Sequence, residues 1–392
     1  MADEIGHRLR QIRQARGKSL AVIAGLAGIS TSYLSRLESG ERALERRSLI
    51  VKLAAALEVA PSEITGAPLA APGIDTDDHA LDRVRTALLA VQIGEPSGRA
   101  QPIDQLTMRV TQIVAAQNDA DSATVGEMLP SLIADLHTTL TSHRDQRDVL
   151  RLLTLAHIQG TQAWLAAIGA PVDLTWQAAT LARQAAERLD EPIPLAISSY
   201  GSALGLLSAG AIDLASRLLR ETTIPLTSTQ EIQLAGSLAL ARSLISAAGH
   251  DRAGQESALD QATELSQRTG DTNLLGFGFG PANVGVWRMQ VALETGEHAE
   301  AAKIAESINP AVLPVRARQA VYWREYGRAL AHLPHQRTAA VAMLRRAERI
   351  SPELVHRHPF TRSVLVELLS RAKHDAVGLE LRGMAYRSGL PV

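Results

Sequence analysis

An all-α fold in two parts, a small helical bundle followed by an α-solenoid, is what this 392-residue sequence predicts. Three observations carry that expectation. Leu and Ala dominate beyond residue 77, and no stretch alternates polar and apolar residues long enough for a sheet. Apolar residues recur at helical spacing along nearly the whole chain. Helical segments also pair as hairpins at intervals of about 30–40 residues, the period of helical repeat proteins.

The elements follow in order. MADEIGHRLRQIRQARG, residues 1–17, reads as an amphipathic first helix and lacks the apolar core of a signal peptide. Residues 17–42, GKSLAVIAGLAGISTSYLSRLESGER, read as two short helices around a tight turn. Ser19 is placed to cap the first by accepting from an orphan backbone N–H. Leu20, Ile23, Ala24 and Ala27 make its apolar face, and Gly28 turns the chain without a Cβ penalty. Ile29 plugs the corner and Ser30 caps the second helix, whose buried side is Leu34 and Leu37. Thr31, Ser32, Ser35 and Arg36 are left facing outward. This is the layout of a helix-turn-helix, whose second helix enters the major groove of DNA.

Residues 4–66 resemble the Xre-type, phage-repressor-like helix-turn-helix domain. The resemblance runs through SLAVIAGLAGIS, SxSYLSRLExGxR and a fourth helix ending LAAALEV. Leu20 stands where many members carry a phosphate-contacting glutamine, and Leu44 where a proline often ends the turn after Gly40 and Arg42. The resemblance implies base reading by Thr31, Ser32 and Arg36. Arg36, with its guanidinium fork, suits guanine O6 and N7. Ser19 and Ser30 are placed to hold phosphates, with Lys18, Arg42 and either Arg46 or Arg47 adding salt-dependent affinity. Tyr33 reads as a packing residue that lends its hydroxyl to the backbone or a phosphate. Arg13 and Glu38 match a pair that is structural in the family, which implies a buried salt bridge and no DNA role.

Charge divides the chain the same way. Residues 1–60 hold ten Lys/Arg against six Asp/Glu, whereas the remainder has 30 basic against 35 acidic residues. A basic head on an acidic body fits a protein that touches double-stranded DNA at one end only. Cys is absent, which excludes disulfides, thiolate metal sites and cysteine nucleophiles. No apolar run approaches the roughly 20 residues of a membrane span, so a cytoplasmic protein with no membrane partner is expected.

Residues 67–77, APLAAPGIDTD, break the helical period and read as a linker between a head at 1–66 and a body at 78–392. In the body, helices are expected at 78–92, 101–118, 123–140, 145–168, 173–189, 193–209 and 211–220, then 228–248, 253–269, 281–295 and 298–307. Four more follow at 315–331, 336–350, 361–373 and 375–388. LLSAGAIDLASRLL (206–219) and ALETGEHAEAAKIAE (292–306) each place an alanine, Ala215 or Ala301, five residues after a turn glycine. AVAMLRRAERISPE (340–353) spaces Ala340, Leu344, Ala347 and Pro352 similarly. These segments resemble degenerate tetratricopeptide repeats.

One body segment departs from the repeat pattern. NLLGFGFGPANVGVWRMQ (273–290) sets Phe277, Phe279 and Trp287 among Gly276, Gly278, Gly280 and Pro281. The glycines forbid a regular helix, so 276–281 is a loop before a helix. Counted from the turn at Gly296, that helix aims Asn283, Val286, Gln290 and Leu293 at the concave groove. Tyr200 reaches the corresponding face from an earlier repeat, and Tyr322 and Glu325 from a later one. Tyr200, Phe279, Asn283, Trp287, Gln290, Tyr322 and Glu325 are thus candidate contacts for a small molecule or peptide. The whole layout also resembles bacterial regulators with an FGPxNV segment, here Phe279–Val284, although Trp287 replaces their commoner histidine. Packing in the core is the competing reading of these aromatics, and Trp164 and Trp176 are read as core.

Catalytic signals are thin. GFGFGPAN lacks the following Lys-Ser/Thr and preceding strand of a phosphate-binding loop. His356 with His358, and His332 with His335, read as solvated turns, and no metal, cofactor or enzymatic role is expected. The expectation is a transcription regulator whose head binds a palindromic operator and whose body forms a homodimer and senses an effector. A repeat scaffold that binds a protein partner, with the head as localiser, is the alternative.

Overall fold

The computed structural model describes residues 2–41, 44, 47–59, 63–64, 75–142, 145–390 and 392. Among them there is no strand. The head comprises α1 (Ala2–Ala15), α2 (Leu20–Ala27), α3 (Thr31–Glu38) and α4 (Arg47–Leu57). Leu9, Ile23, Leu34, Leu37, Leu53, Leu57 and Ile64 close a core of its own, each at most 1% exposed.

The body opens with α5 (Asp75–Gln92), α6 (Ile103–Asn118) and α7 (Ser122–Thr141). The linker expectation at 67–77 falls mostly outside the described residues, and its last three already belong to α5. A single helix was expected over 145–168. The chain instead runs as α8 (Gln146–Leu155), a π-helical segment Ala156–Gln162 and α9 (Ala163–Ala167). The seven π residues are all buried, and a Cβ on Gly160 would meet Ile113 at 3.0 Å. The widened turn follows tertiary packing, which periodicity does not record.

Helical hairpins follow. Pairs are α10 (Val172–Leu189) with α11 (Pro192–Ser208), α11 with α12 (Ile212–Glu221), and α13 (Thr229–Ala248) with α14 (Arg252–Thr269). Next come α15 (Pro281–Glu294) with α16 (His298–Ser307), then α17 (Arg316–Ala331) with α18 (Arg337–Ile350). Small residues sit where helices approach. Ala215, Ala301, Ala340 and Ala347 are fully buried, and a Cβ on Gly327 would lie 2.8 Å from Leu344. Ser228 and Glu231 form a reciprocal capping box that starts α13 sharply.

The chain ends in α19 (Pro352–His356), α20 (Pro359–Ser370) and α21 (Ala376–Arg387). Two readings are corrected here. His356 and His358 are not a solvated turn: His356 Nε2 lies 2.7 Å from Glu348, and His358 Nδ1 accepts from the Thr361 N–H to cap α20. Trp164 is core at 2% exposed, but Trp176 is 40% exposed. Trp176 lies against Gly205 of α11.

Candidate functional site

The outward face of the head begins with two serines. Ser19 Oγ accepts from the Val22 N–H and Ser30 Oγ from the Tyr33 N–H, each at 3.2 Å. Each hydroxyl proton then stays free to donate to a phosphate oxygen. Gly28, at φ 67°, ends α2 in the left-handed region, and the axes of α2 and α3 turn through 107°. Leu34 and Leu37 are buried beneath α3, which leaves Thr31, Ser32, Ser35 and Arg36 exposed and Tyr33 half-buried. The Arg36 Nε reaches the Ser32 carbonyl at 3.4 Å, and no carboxylate among the described residues pairs with it. Its fork is therefore available to a base edge. Lys18 is exposed at the start of the turn. Arg42 and Arg46 fall outside the described residues.

Behind this face Arg13 grips Glu38 through two parallel bonds, Nε to Oε1 at 2.6 Å and Nη2 to Oε2 at 2.8 Å. The carboxylate is 5% exposed. A third bond, from Arg13 Nη1 to the Lys18 carbonyl at 2.9 Å, ties α1 to the start of the turn. Hydrogen bonding to Glu38 raises the Arg13 pKa above its ordinary value.

In the body, the 271–280 loop is built by its own side chains. Asn273 Oδ1 accepts from the Gly278 N–H at 2.8 Å, and Asp271 Oδ1 accepts from the Ala282 N–H at 3.1 Å. Gln233 anchors it from α13 through Thr272 and the Leu274 N–H. Gly276 (φ 80°) comes so close to Val114 of α6 that a Cβ would stand 2.8 Å from it. The loop thus reaches across to the early helices of the body. Phe277 meets the Tyr200 ring edge-on at 4.8 Å.

The seven candidate contacts divide into two groups. Tyr200, Asn283, Trp287 and Gln290 gather around Arg318, a residue sequence reasoning missed. Arg318 Nε donates to Asn283 Oδ1 at 2.8 Å, its Nη2 to Gln290 Oε1 at 3.5 Å, and its guanidinium lies 5.6 Å from the Trp287 ring centre. A signal existed: Arg318, Tyr322 and Glu325 recur at i, i+4 and i+7 on one helix. Asn283 and Trp287 are themselves buried, at 3% and 6% exposed, and the other three are buried with contacts of their own. Phe279 is 1% exposed and packs onto Gly236; Tyr322 donates its hydroxyl to the Ala305 carbonyl at 3.0 Å. Glu325 is consumed by Arg324 at 2.5 Å and by Arg328. Burial pushes the Glu325 carboxyl upward, but the two arginines outweigh it and hold its pKa at about 2. Val286, expected at the groove, is wholly buried because that side of α15 faces α17.

A separate cleft of about 650 Å³ lies between α5 and α7, lined by His79, Asp82, Arg83 and alkyl groups such as Ala87, Ala90 and Pro130. None of the seven candidate contacts lines it.

With this geometry in view, the comparisons are brief. A family model described as a helix-turn-helix domain matches residues 4–65. No curated protein matches the chain at a significant level. Among solved structures, PlcR of Bacillus thuringiensis in complex with the peptide PapR7 and DNA is similar at 10% identity and a TM-score of 0.35. That overlap covers 93% of this chain and 99% of that one. It is too loose to fix a ligand or an assembly here. The head is therefore a helix-turn-helix domain, the type of domain that binds DNA, and the remainder is an all-helical body of stacked hairpins. Among the described residues no single helix is long and apolar enough to cross a membrane.

Proposed function

We propose that this protein is a sequence-specific DNA-binding transcription regulator whose helical body mediates homodimerisation and senses an effector. The observation that carries the reading is the exposed face of α3: four small or forked polar side chains over a packed apolar floor, with an arginine that no carboxylate among the described residues pairs. Two such faces in a dimer, roughly 34 Å apart, suit successive major grooves of a palindromic operator. Ser19 and Ser30 hold phosphates beside it, and Lys18 adds charge. The body supports a sensing role through the aromatic and amide groups collected beside the glycine loop. An effector that favours one conformation of the body shifts the spacing of the two heads and so operator affinity.

Selection of bound sequences from a random DNA library tests the reading and reports half-site spacing at once. Fluorescence anisotropy on the selected site then compares Arg36→Ala with the parent. The expected loss is about 1–3 kcal/mol, concentrated at one base pair. Equal binding to every sequence, unaffected by Arg36→Ala, overturns it.

A further inference from the structure

We propose that the polar cluster around Arg318 in the body recognises a carboxylate, received by the Arg318 guanidinium and the Tyr200 hydroxyl. The proposal rests on the reading of the body as a sensor and names the chemistry of what it senses. A guanidinium carries five donors and prefers a flat anion that meets two at once. Arg318 is half-buried on α17, yet no carboxylate among the described residues lies within 4.0 Å of it. Its two hydrogen bonds go to neutral amide oxygens, of Asn283 and Gln290, and its Nη1 has no partner among the described residues. The nearby carboxylate is unavailable, because Glu325 already serves Arg324 and Arg328. Positive charge is therefore in excess in this interior.

Tyr200 completes the arrangement. It stands on α11 against Phe277, whose neighbour Gly278 lies beside the Arg318 stem, and its hydroxyl also lacks a hydrogen-bond partner among the described residues. Burial lowers the Arg318 pKa to about 10 and raises that of Tyr200 to about 12, so at neutral pH the first is a cation and the second a donor. Asn283 and Gln290 hold the fork, while Phe277 borders Tyr200 and Trp287 borders Arg318 with apolar surface. Charge, a second donor and a rigid apolar frame describe a seat for a carboxylate attached to an apolar body. A small organic acid and a peptide C-terminus both offer one.

The experiment uses the full chain and thermal melting at constant ionic strength. The probes are N-acetylphenylalanine, N-acetylphenylalaninamide, and a pentapeptide ending in phenylalanine with a free or an amidated terminus. The two acids raise the midpoint in the parent, and the two amides do not. Whichever acid acts at lower concentration identifies the source of the carboxylate. Arg318→Gln abolishes the rise, and Tyr200→Phe weakens it about tenfold, the worth of one hydrogen bond to a charged group. Because Arg318 has no counter-ion, Arg318→Gln without probe melts no lower than the parent. Equal shifts for acid and amide, no shift for either acid, or a large drop in the unliganded melting point of Arg318→Gln overturns the proposal. Operator binding measured on the same samples separates the two readings. Lost DNA recognition with intact acid binding sinks only the regulator, and the converse sinks only the carboxylate seat.

Discussion

Glu38 shows how a single carboxylate in the head serves structure rather than chemistry. It lies directly after Leu37 on α3, so its position invites a functional role. The two bonds from Arg13 occupy both its oxygens, and only 5% of it is exposed. Breaking such a pair by removing one partner strands the other charge. Glu38→Ala is therefore expected to destabilise the chain by about 3 kcal/mol, read as the shift in urea midpoint, while Arg36→Ala leaves that midpoint within about 0.5 kcal/mol of the parent. A second residue-scale expectation concerns Gly236 of α13, where a Cβ would stand 2.0 Å from Phe279 Cζ. Gly236→Ala overpacks that contact by about 1–3 kcal/mol, and adding Phe279→Leu restores part of the loss. Chemical denaturation of the single and double variants checks it. The sequence shows a glycine and a phenylalanine but not their meeting, because 43 positions separate them and periodicity speaks only of neighbours on one helix.

Among the elements, the π-helical segment and α7 hold a buried histidine pair. His137 and His157 face each other with Nε2 atoms 2.9 Å apart, so one donates and the other accepts, and the acceptor must be neutral. Burial lowers the His137 pKa to about 4; burial, then the charge of His137, takes His157 well below its ordinary value. The unfolded chain takes up protons near pH 6.5, before the folded one does. Stability contributed by the pair is thus present above that pH and lost as pH falls toward 4, by about 1.4 kcal/mol per pH unit for each histidine. Urea midpoints at pH 7.5 and 5.5 are expected to diverge for the parent. The divergence shrinks in His157→Gln, and an unchanged divergence counts against this source. Helix positions were legible because leucine and alanine recur every third or fourth residue, and most ends fall within two residues of the expected ones. The π turn and the short helix α19 were not legible. The first answers to Ile113 and Leu129 packed against Gly160, and the second is a single turn started by Pro352 and held by the buried Val355.

At the scale of the whole molecule, the head is docked on the last helices of the body. Arg16 pairs with Glu380 at 2.6 Å, Arg345 with Glu58 at 2.5 Å, and Arg382 with Glu63. Arg16 also donates to the Glu58 carbonyl at 3.0 Å, and a Cβ on Gly383 would meet that same oxygen. The charges continue inward to Glu348, which is 3% exposed and bound by Arg345, His356 and Arg387. This seam lies at the ends of α1 and α4 and leaves the exposed face of α3 uncovered. Glu380→Arg sets like charges against Arg16 and Arg345. It is expected to loosen the seam, seen as faster amide hydrogen exchange in Ala376–Arg387, and to leave exchange in α13 unchanged. Exchange unaltered in both places contradicts that role for the ion pairs.

Local order in this chain is decided by sequence alone: the capped pair of helices about Gly28, the outward set Thr31, Ser32, Ser35 and Arg36, and the succession of hairpins with alanine at their contacts. Each depends on residues no more than a few turns apart, where spacing and caps act directly. Tertiary structure alone decided what the aromatic segment surrounds. Phe279, Tyr322 and Glu325 looked like groove residues by register, yet packing closed over them. Arg318, drawn in by Asn283 and Gln290 from a neighbouring helix, became the centre of the polar cluster. Burial and charge balance depend on which helices come together, and that is settled only when the stack is complete.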